Sequence, residues 1–353
     1  MGERILMKGN EAIGEAAIKA GCNFFFGYPI TPQNEVPEYM SKRLPKVDGG
    51  CFLQAESEVA AINMVYGAAG SGARVMTSSS SPGISLKLEG ISYIAGADLP
   101  CVIVNIVRGG PGLGGIQPAQ SDYFQATKGG GHGDYHMVVL APSTVQEAVD
   151  LTQEAFDIAD QYRTPVMVIG DGMIGQMMEP VEFKEPPSRE LPEKDWATDG
   201  CEDRDPNIIN SLSLQAEELE EMNWDRYKRY ETIKENEIKV ETINMDDADI
   251  ALVAYGTTSR ICFSAMEQLR EEGIKVGLIR PITLWPFPAE TISKAADQVD
   301  QFLTVEMSTG QMVEDVRLAV NGKKPVKFYG RTAGMIPSVE EIVEQVKELG
   351  GDK

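Results

Sequence analysis

Short, wholly apolar runs alternate along this chain with longer stretches that mix apolar and small residues. The runs Asn23–Gly27, Arg74–Thr77, Val102–Val107, Val138–Leu140 and Val166–Ile169 predict strands. Between them, Gly9–Ala20, Glu58–Ala68, Ile84–Tyr93 and Thr144–Gln161 predict helices. Strands that lack polar alternation are buried on both faces. Their alternation with helices implies an α/β fold, a parallel sheet with helices on both sides. A second unit of the same kind begins after Asp247. Its strands are predicted at Ile250–Tyr255, Val276–Ile279, Phe302–Val305 and Val326–Phe328, and its helices at Arg260–Glu272, Pro288–Ala296, Met312–Val320 and Ser338–Leu349. The pattern breaks between Glu179 and Glu241, where Pro180, Pro186, Pro187 and Pro192 precede the acidic run Glu217-Glu218-Leu219-Glu220-Glu221. The expected division is therefore a first domain over 1–180, a Pro-rich acidic linker with one exposed helix over 181–246, and a second domain over 247–353. Trp224, Tyr227 and Tyr230 recur at helical spacing in that linker. They read as a helix packed on its own protein in preference to a partner-binding arm.

Composition narrows the function. The formal charge of −22 leaves no basic stripe for a phosphate backbone or an anionic membrane surface, so neither nucleic acid nor membrane is expected as a partner. No run approaches the roughly 18 apolar residues of a membrane span. Met1–Gly21 carries Glu3, Glu11 and Glu15 and reads as an amphipathic helix, not a signal peptide. The five cysteines (Cys22, Cys51, Cys101, Cys201, Cys262) contain no CxxC pair. They are expected to be buried, inert thiols in a reducing cytoplasm, with neither iron–sulfur nor zinc ligation in this chain.

The chemistry concentrates in a few segments. Gly27-Tyr28-Pro29-Ile30-Thr31-Pro32 runs a strand into a rigid turn that presents Thr31 where a helix should begin. Gln54-Ala55-Glu56-Ser57-Glu58-Val59-Ala60-Ala61 puts a carboxylate at the start of a small-residue helix, which another surface can approach closely. A carboxylate so placed suits a buried, directional proton partner. In Ser78-Ser79-Ser80-Ser81-Pro82-Gly83 a serine cap and a proline predict a helix start whose amides could hold a polar ligand. Arg108 stands at a strand end before Gly109-Gly110-Pro111-Gly112, where its guanidinium suits a carboxylate or phosphate. The long connection that follows holds Gln117, Gln120, Ser121, Asp122 and the glycine run around His132, and its length points to function or a lid. With only His132 and His136 in the chain, histidine-based metal or triad chemistry has little to work with. Gly170-Asp171-Gly172 resembles the opening of a metal–diphosphate motif, but its expected asparagine is missing from Pro192–Gly200, so it reads as a strand-end turn.

Taken together, GYPITP, QAESEVAA, MTSSSSPG, VRGGPG with IQPAQSD, YGTTSR…RPITLWPFP and VEMSTGQM resemble the alpha-type subunit of 2-oxoacid:ferredoxin oxidoreductases. Within that family the chain looks most like the branched-chain (3-methyl-2-oxobutanoate) type, with the 2-oxoglutarate type second. The resemblance implies a thiamine-diphosphate-enzyme pyrimidine-binding domain followed by a transketolase C-terminal-like domain. It further implies that Glu58, with Glu56 the weaker candidate, hydrogen-bonds the aminopyrimidine, with Ser81 and Gly83 beside the cofactor. Thr31 and Arg108 are then the substrate-carboxylate contacts. Mg2+ and [4Fe-4S] clusters are implied on partners: a beta-type thiamine-diphosphate-binding subunit, a ferredoxin-like subunit and a gamma-type subunit, with ferredoxin, coenzyme A and the 2-oxoacid as reactants. Glu306 and Arg280 are expected in ordinary ion pairs, with interface positions as the alternative. The rival readings are the beta chain of a lipoyl-linked 2-oxoacid dehydrogenase and a non-catalytic scaffold. Retention of Thr31, Glu58 and Arg108 together speaks against the scaffold.

Overall fold

The computed structural model describes residues 4–184 and 189–350. The strand β1 (Ile5–Lys8) leads into α1 (Gly9–Lys19), then β2 (Phe24–Gly27), α2 (Glu35–Arg43), β3 (Cys51–Gln54), α3 (Glu58–Gly70), β4 (Val75–Ser79), α4 (Pro82–Gly96) and β5 (Cys101–Val107). A long connection holding the short α5 (Tyr123–Thr127) reaches β6 (Val138–Leu140), α6 (Val145–Tyr162), β7 (Pro165–Asp171), α7 (Gly172–Gln176) and β8 (Met178–Val181). Beyond these come α8 (Ala216–Asn236), β9 (Val240–Ile243), β10 (Ile250–Val253), α9 (Gly256–Glu271), β11 (Val276–Pro281) and β12 (Thr283–Trp285). The chain ends through α10 (Ala289–Ala295), β13 (Gln301–Glu306), α11 (Met312–Val320), β14 (Val326–Gly330) and α12 (Val339–Gly350).

Two sheets carry the architecture. The first runs β12-β6-β7-β5-β4-β2-β3, and only β12 is antiparallel to its neighbour. The second runs β14-β13-β10-β11-β9, with β9 the antiparallel edge. Both are the parallel, helix-covered sheets that continuous apolar strands require. At the centre of the first, β5 is buried along its whole length, which is why its sequence shows no alternation.

Several sequence expectations are corrected here. Within Met1–Gly21, Ile5–Lys8 is a strand paired antiparallel with Met178–Val181, and the helix starts only at Gly9; Met1 lies outside the described residues. The expected linker supplies β9 to the second sheet. Pro186 and Pro187 lie outside the described residues. Helix α8 packs through Arg226, Tyr230 and Ile233, while Trp224 and Tyr227 face outward, edge to face with each other. Among the free thiols Cys201 is exposed, against the expectation of burial, whereas Cys22, Cys101 and Cys262 are buried.

The two sheets are tied together by polar anchors. Gln120 donates from Nε2 to Tyr255 O (2.9 Å), and its Oε1 accepts from Thr258 Oγ1 (2.8 Å) and the Met307 amide (2.9 Å). Tyr123 OH donates to Asp315 (2.6 Å). The connection expected to be functional or a lid is tied through Gln120 and Tyr123 to the second unit. Glu306 forms no ion pair among the described residues. Buried at the end of β13, it accepts from the amides of Gln311, Met312 and Val313 and so caps α11. Arg280 does pair, and across the two units: it forks onto Glu147 of α6 (2.6 and 2.9 Å) and reaches Glu241 of β9 (2.8 Å).

Burial alone pushes the Glu147 carboxyl up, but the hydrogen bonds from Arg280 and Ser143 hold it below the ordinary glutamate value. Its contribution to stability is thus present above the unfolded-state value and is lost as pH falls through the lowered one. Arg280→Ala leaves a half-buried carboxylate unpaired, and should cost about 2–4 kcal/mol at neutral pH. The loss should shrink in acid, below about pH 4, as Glu147 protonates. Urea denaturation of both proteins at pH 7 and in acid checks this; equal losses at both would contradict it.

Candidate active site

The carboxyl ends of five strands share one edge of the first sheet, because their registers are level. Gly27 lies opposite Gln54, Ser79 opposite Asn105, and Val107 opposite Asp171. Open α/β sheets bind ligands outside this edge. From β2 the chain turns at Ile30–Gln33, where the Gln33 amide donates to Ile30 O (3.1 Å). The buried Gln33 side chain accepts from Ser78 Oγ at 2.5 Å, which fastens the turn to the end of β4. Thr31 is exposed in this turn and does not open a helix, since α2 starts at Glu35. It borders a cleft of about 660 Å3 whose walls include Pro32, Ile116, Met173 and Met177.

Arg108 leaves β5 directly beneath that turn. Its Nη1 donates to Thr31 O (2.9 Å) and its Nη2 to Leu113 O (3.2 Å), while Nε is buried without a partner. The glycines after it let the chain fold back: Gly109 N–H donates to Gln117 O (3.0 Å) and Gly115 N–H to Gly109 O (2.9 Å). Gly114 has φ +56°, and a Cβ there would fall 1.9 Å from Gly109 O, so only glycine closes this loop.

Ser81 joins Arg108 from the other side. Its Oγ accepts from the Arg108 amide (3.0 Å) and caps no helix, contrary to the sequence expectation. Its backbone sits at φ +27°, ψ −83°, a strained conformation costing about 1–3 kcal/mol that the surroundings must enforce. Asn105 enforces it: Oδ1 accepts from the Ser81 amide (3.1 Å), and Nδ2 donates to Asp122 (3.0 Å). Burial pushes the Asp122 carboxyl up, and the bonds from Asn105 and Ser81 offset this only in part. The Ser81 amide, one of those at this helix start, is therefore already bonded within the chain.

Glu58 is the first residue of α3. Ser57 caps the helix by accepting from the Ala60 amide (3.1 Å), and the positive end of the helix dipole favours a carboxylate at position 58. Glu58 is 6% exposed, whereas Glu56 is exposed, which separates the two candidates. Among the described residues the Glu58 carboxyl has no hydrogen-bond partner. It lies against Gly83 in the first turn of α4, where a Cβ would come 2.9 Å from Glu58 Oε1 and 2.1 Å from Ser79 Oγ. The hydroxyls of Ser79 and Ser80 are buried and unpartnered. Ser79 Oγ, Ser80 Oγ and Arg108 Nε, with the Glu58 carboxyl, form a set of polar groups without hydrogen-bond partners among the described residues. A polar ring together with an anionic substrate would satisfy such a set.

All five candidates thus meet at one edge, Thr31, Arg108 and Ser81 by direct bonds and Glu58 by contact with Gly83. Three groups escaped sequence reasoning: the unpartnered state of the Ser79 and Ser80 hydroxyls, Asn105 as the partner of Asp122, and the buried Lys87. Asn105 was legible as the one polar residue inside CVIVNIV. Elsewhere, Asp171 caps α7 by accepting from the Met173 (2.8 Å) and Ile174 (3.3 Å) amides, in keeping with a strand-end turn. His136 stacks on Trp285 at 4.6 Å, and His132 meets the Tyr93 ring edge-on. Among the described residues no group of three or more His, Cys, Asp or Glu could hold a metal ion. No described helix is long and apolar enough to cross a membrane.

Residues 15–246 match the family described as "Pyruvate flavodoxin/ferredoxin oxidoreductase, thiamine diP-bdg", and residues 248–342 match "Pyruvate:ferredoxin oxidoreductase core domain II". The chain is 51% identical over 347 residues to the ketoisovalerate oxidoreductase subunit VorB of Methanothermobacter thermautotrophicus, covering 98% of each. It is 36% identical to the 2-oxoglutarate synthase subunit KorA of the same organism, covering 99% of this chain and 100% of that one. A solved 2-oxoglutarate:ferredoxin oxidoreductase from Magnetococcus marinus, with 2-oxoglutarate, coenzyme A and succinyl-CoA bound, superposes with a TM-score of 0.88 at 27% identity. The match covers 98% of this chain and 65% of that one. A split-gene transketolase in an inactive beta4 tetramer shares the fold alone, with a TM-score of 0.61 at 14% identity.

Proposed function

This chain belongs to the pyruvate flavodoxin/ferredoxin oxidoreductase family, and from that membership we propose that it is the alpha-type subunit of a thiamine-diphosphate-dependent 2-oxoacid:ferredoxin oxidoreductase. The reaction is the oxidative decarboxylation of 3-methyl-2-oxobutanoate with coenzyme A, giving the branched acyl-CoA, carbon dioxide and reduced ferredoxin. The higher identity to the ketoisovalerate relative than to the 2-oxoglutarate relative supports this substrate. The observation that carries the site is the buried Glu58 carboxyl lying against Gly83, without a hydrogen-bond partner among the described residues and beside two orphaned serine hydroxyls.

These residues fit the aminopyrimidine side of thiamine diphosphate. Glu58 would hold the ring nitrogen, Gly83 leaves room for that carboxyl, and Ser79 and Ser80 offer hydroxyls without internal partners. Once bound, the cofactor supplies a nucleophilic carbon for the keto group and an electron sink for decarboxylation. Glu58 holds and returns a proton at its carboxyl oxygen while that carbon is generated. Arg108, buried beside Thr31, presents its guanidinium to the substrate carboxylate, and the exposed Thr31 hydroxyl adds a second contact. Holding the carboxylate there would fix the keto carbon in place beside the bound cofactor, which would lower the entropic cost of bringing the two together.

The diphosphate with its Mg2+ and the [4Fe-4S] clusters belong, in this reading, to a beta-type and a ferredoxin-like partner, with a gamma-type subunit completing the complex. Free cysteines fit a reducing cytoplasm. Reconstitution with those subunits, followed by low-potential dye reduction with coenzyme A, tests the reading. The largest kcat/KM is expected for 3-methyl-2-oxobutanoate among that acid, 2-oxoglutarate and pyruvate. A larger value for 2-oxoglutarate overturns the substrate, and no turnover with any of the three overturns the reaction.

A further inference from the structure

The turn between β14 and α12 brings the second unit onto the loop that follows Arg108. It spans Thr332–Met335, and the Met335 amide donates to Thr332 O (3.0 Å). Both central residues have positive φ, Ala333 at +54° and Gly334 at +94°. This is the sign pattern of a mirror-image turn, whose first central position ordinarily takes Asn, Asp or Gly. An L-alanine there is strained, and no burial of its side chain offsets the strain, because Ala333 is exposed. What the conformation achieves is close approach. A Cβ at Gly109 would come 3.3 Å from Ala333 C and 3.4 Å from Ala333 Cα. A Cβ at Gly334 would overlap Gln117 Cβ and come 2.9 Å from its Cγ.

Gly109 and Gln117 are the two sides of the loop's base. Gly109 N–H donates to Gln117 O (3.0 Å), and Arg108 forms an antiparallel bridge with Pro118. Inside the loop so closed, Leu113 O accepts from Arg108 Nη2 (3.2 Å). Residues 110–117 are all exposed, so the loop has no core of its own to hold it in shape. We propose that the turn Thr332–Met335 is a positioning clamp: by covering Gly109 and Gln117 it keeps the base of this loop closed, and so fixes the Arg108 guanidinium where the 2-oxoacid carboxylate is bound. This rests on the reading of Arg108 given above, and it gives the second unit a part in substrate binding. Strained backbone persists where its surroundings over-determine it, and the strain at Ala333 lies at the contact itself. Gly334 is the residue on which the clamp depends, because a side chain there cannot be seated unless Gln117 moves.

Gly334→Asn provides the test. Asparagine tolerates positive φ better than other side chains, so the turn is kept while the new Cβ displaces Gln117. Gly109 N–H is bonded to Gln117 O and Gly115 N–H to Gly109 O. In the full-length chain alone, followed by NMR, amide exchange at these two glycines should quicken about tenfold, while exchange in the buried strand β5 stays as in the wild type. In the reconstituted complex the KM for the 2-oxoacid should rise about tenfold, the scale of one weakened charge-assisted hydrogen bond, with kcat and the KM for coenzyme A nearly unchanged. Merely structural damage would lower the yield of folded enzyme and leave that KM alone. Unchanged exchange at Gly109 and Gly115 in a folded Gly334→Asn chain overturns the proposal. Faster exchange with an unchanged KM also overturns it, and there the fault lies with the reading of Arg108, since the loop has loosened without consequence for the 2-oxoacid. If Gly334→Asn does not fold, the wild type decides. As urea is raised, the Gly109 and Gly115 amides should become exchangeable together with the Arg331 amide, which is bonded to Glu306 O in the second unit. Protection at the two glycines that outlasts Arg331 overturns the proposal. The exchange measurements need neither cofactor nor partner, so their outcome is separate from whether the complex oxidises a 2-oxoacid at all.

Discussion

Glu58→Gln should lower 2-oxoacid-dependent acceptor reduction by the reconstituted complex by about three orders of magnitude, within the range assigned to a positioned acid–base group. Glutamine matches glutamate in size, so the contact with Gly83 and the start of α3 behind the Ser57 cap are kept. What goes is the ability to hold and return a proton. Assembly should be unaffected, because Glu58 makes no hydrogen bond that supports the fold among the described residues. Turnover with 3-methyl-2-oxobutanoate, alongside the sedimentation profile of the complex, checks both halves. A rate within a few-fold of wild type would remove Glu58 from its role; lost assembly would assign it to structure.

Arg108→Ala should raise the KM for the 2-oxoacid by about 10–100-fold, the equivalent of one charge-assisted hydrogen bond of about 1.5–3 kcal/mol. The KM for coenzyme A should stay where it is. The guanidinium also holds the carbonyls of Thr31 and Leu113, so part of the loss would reflect a looser turn. Arg108→Lys separates the two effects: it keeps the charge but not the fork that reaches both carbonyls. If the alanine variant leaves the 2-oxoacid KM unchanged, Arg108 is not in the carboxylate site.

The major strands and helices were legible because each apolar run had one environment along its length. β5 is buried throughout, and its sequence reads as continuous burial. Five strands were not legible, β3 (Cys51–Gln54), paired with β2, and β8 (Met178–Val181), paired with β1, among them; the other three share a reason. β1, β9 and β12 are three or four residues long and take their conformation from a distant partner: β8 for the first, β11 for the second and β6 for the third. Nothing local marks Thr283–Trp285 as the edge of a sheet whose other strands lie before residue 172.

The candidate site shows the same division. Thr31, Glu58 and Arg108 announced themselves through glycine, proline and small-residue context. The Ser79 and Ser80 hydroxyls did not, because four consecutive serines give no sign of which ones lack a partner. Glu306 read as an ion-pairing residue because a lone acid at a strand end usually is one. That it caps α11 depends on the chain turning back through Ser308 and Gly310, a tertiary fact. Lys87 on α4 went unread because only the tertiary structure brings its ammonium onto Thr77 and Ser78 of β4.

The seating of β12 beside β6 bears on biogenesis. During synthesis the first sheet keeps an unpaired β6 edge until the chain has been made past Trp285, well into the second unit. Such an edge is a template for pairing with other chains, so the nascent protein passes through an aggregation-prone interval that ends only when its second half arrives. A fragment cut at residue 247 would retain that interval permanently. Severing the linker after folding would not, because β12 would already be seated.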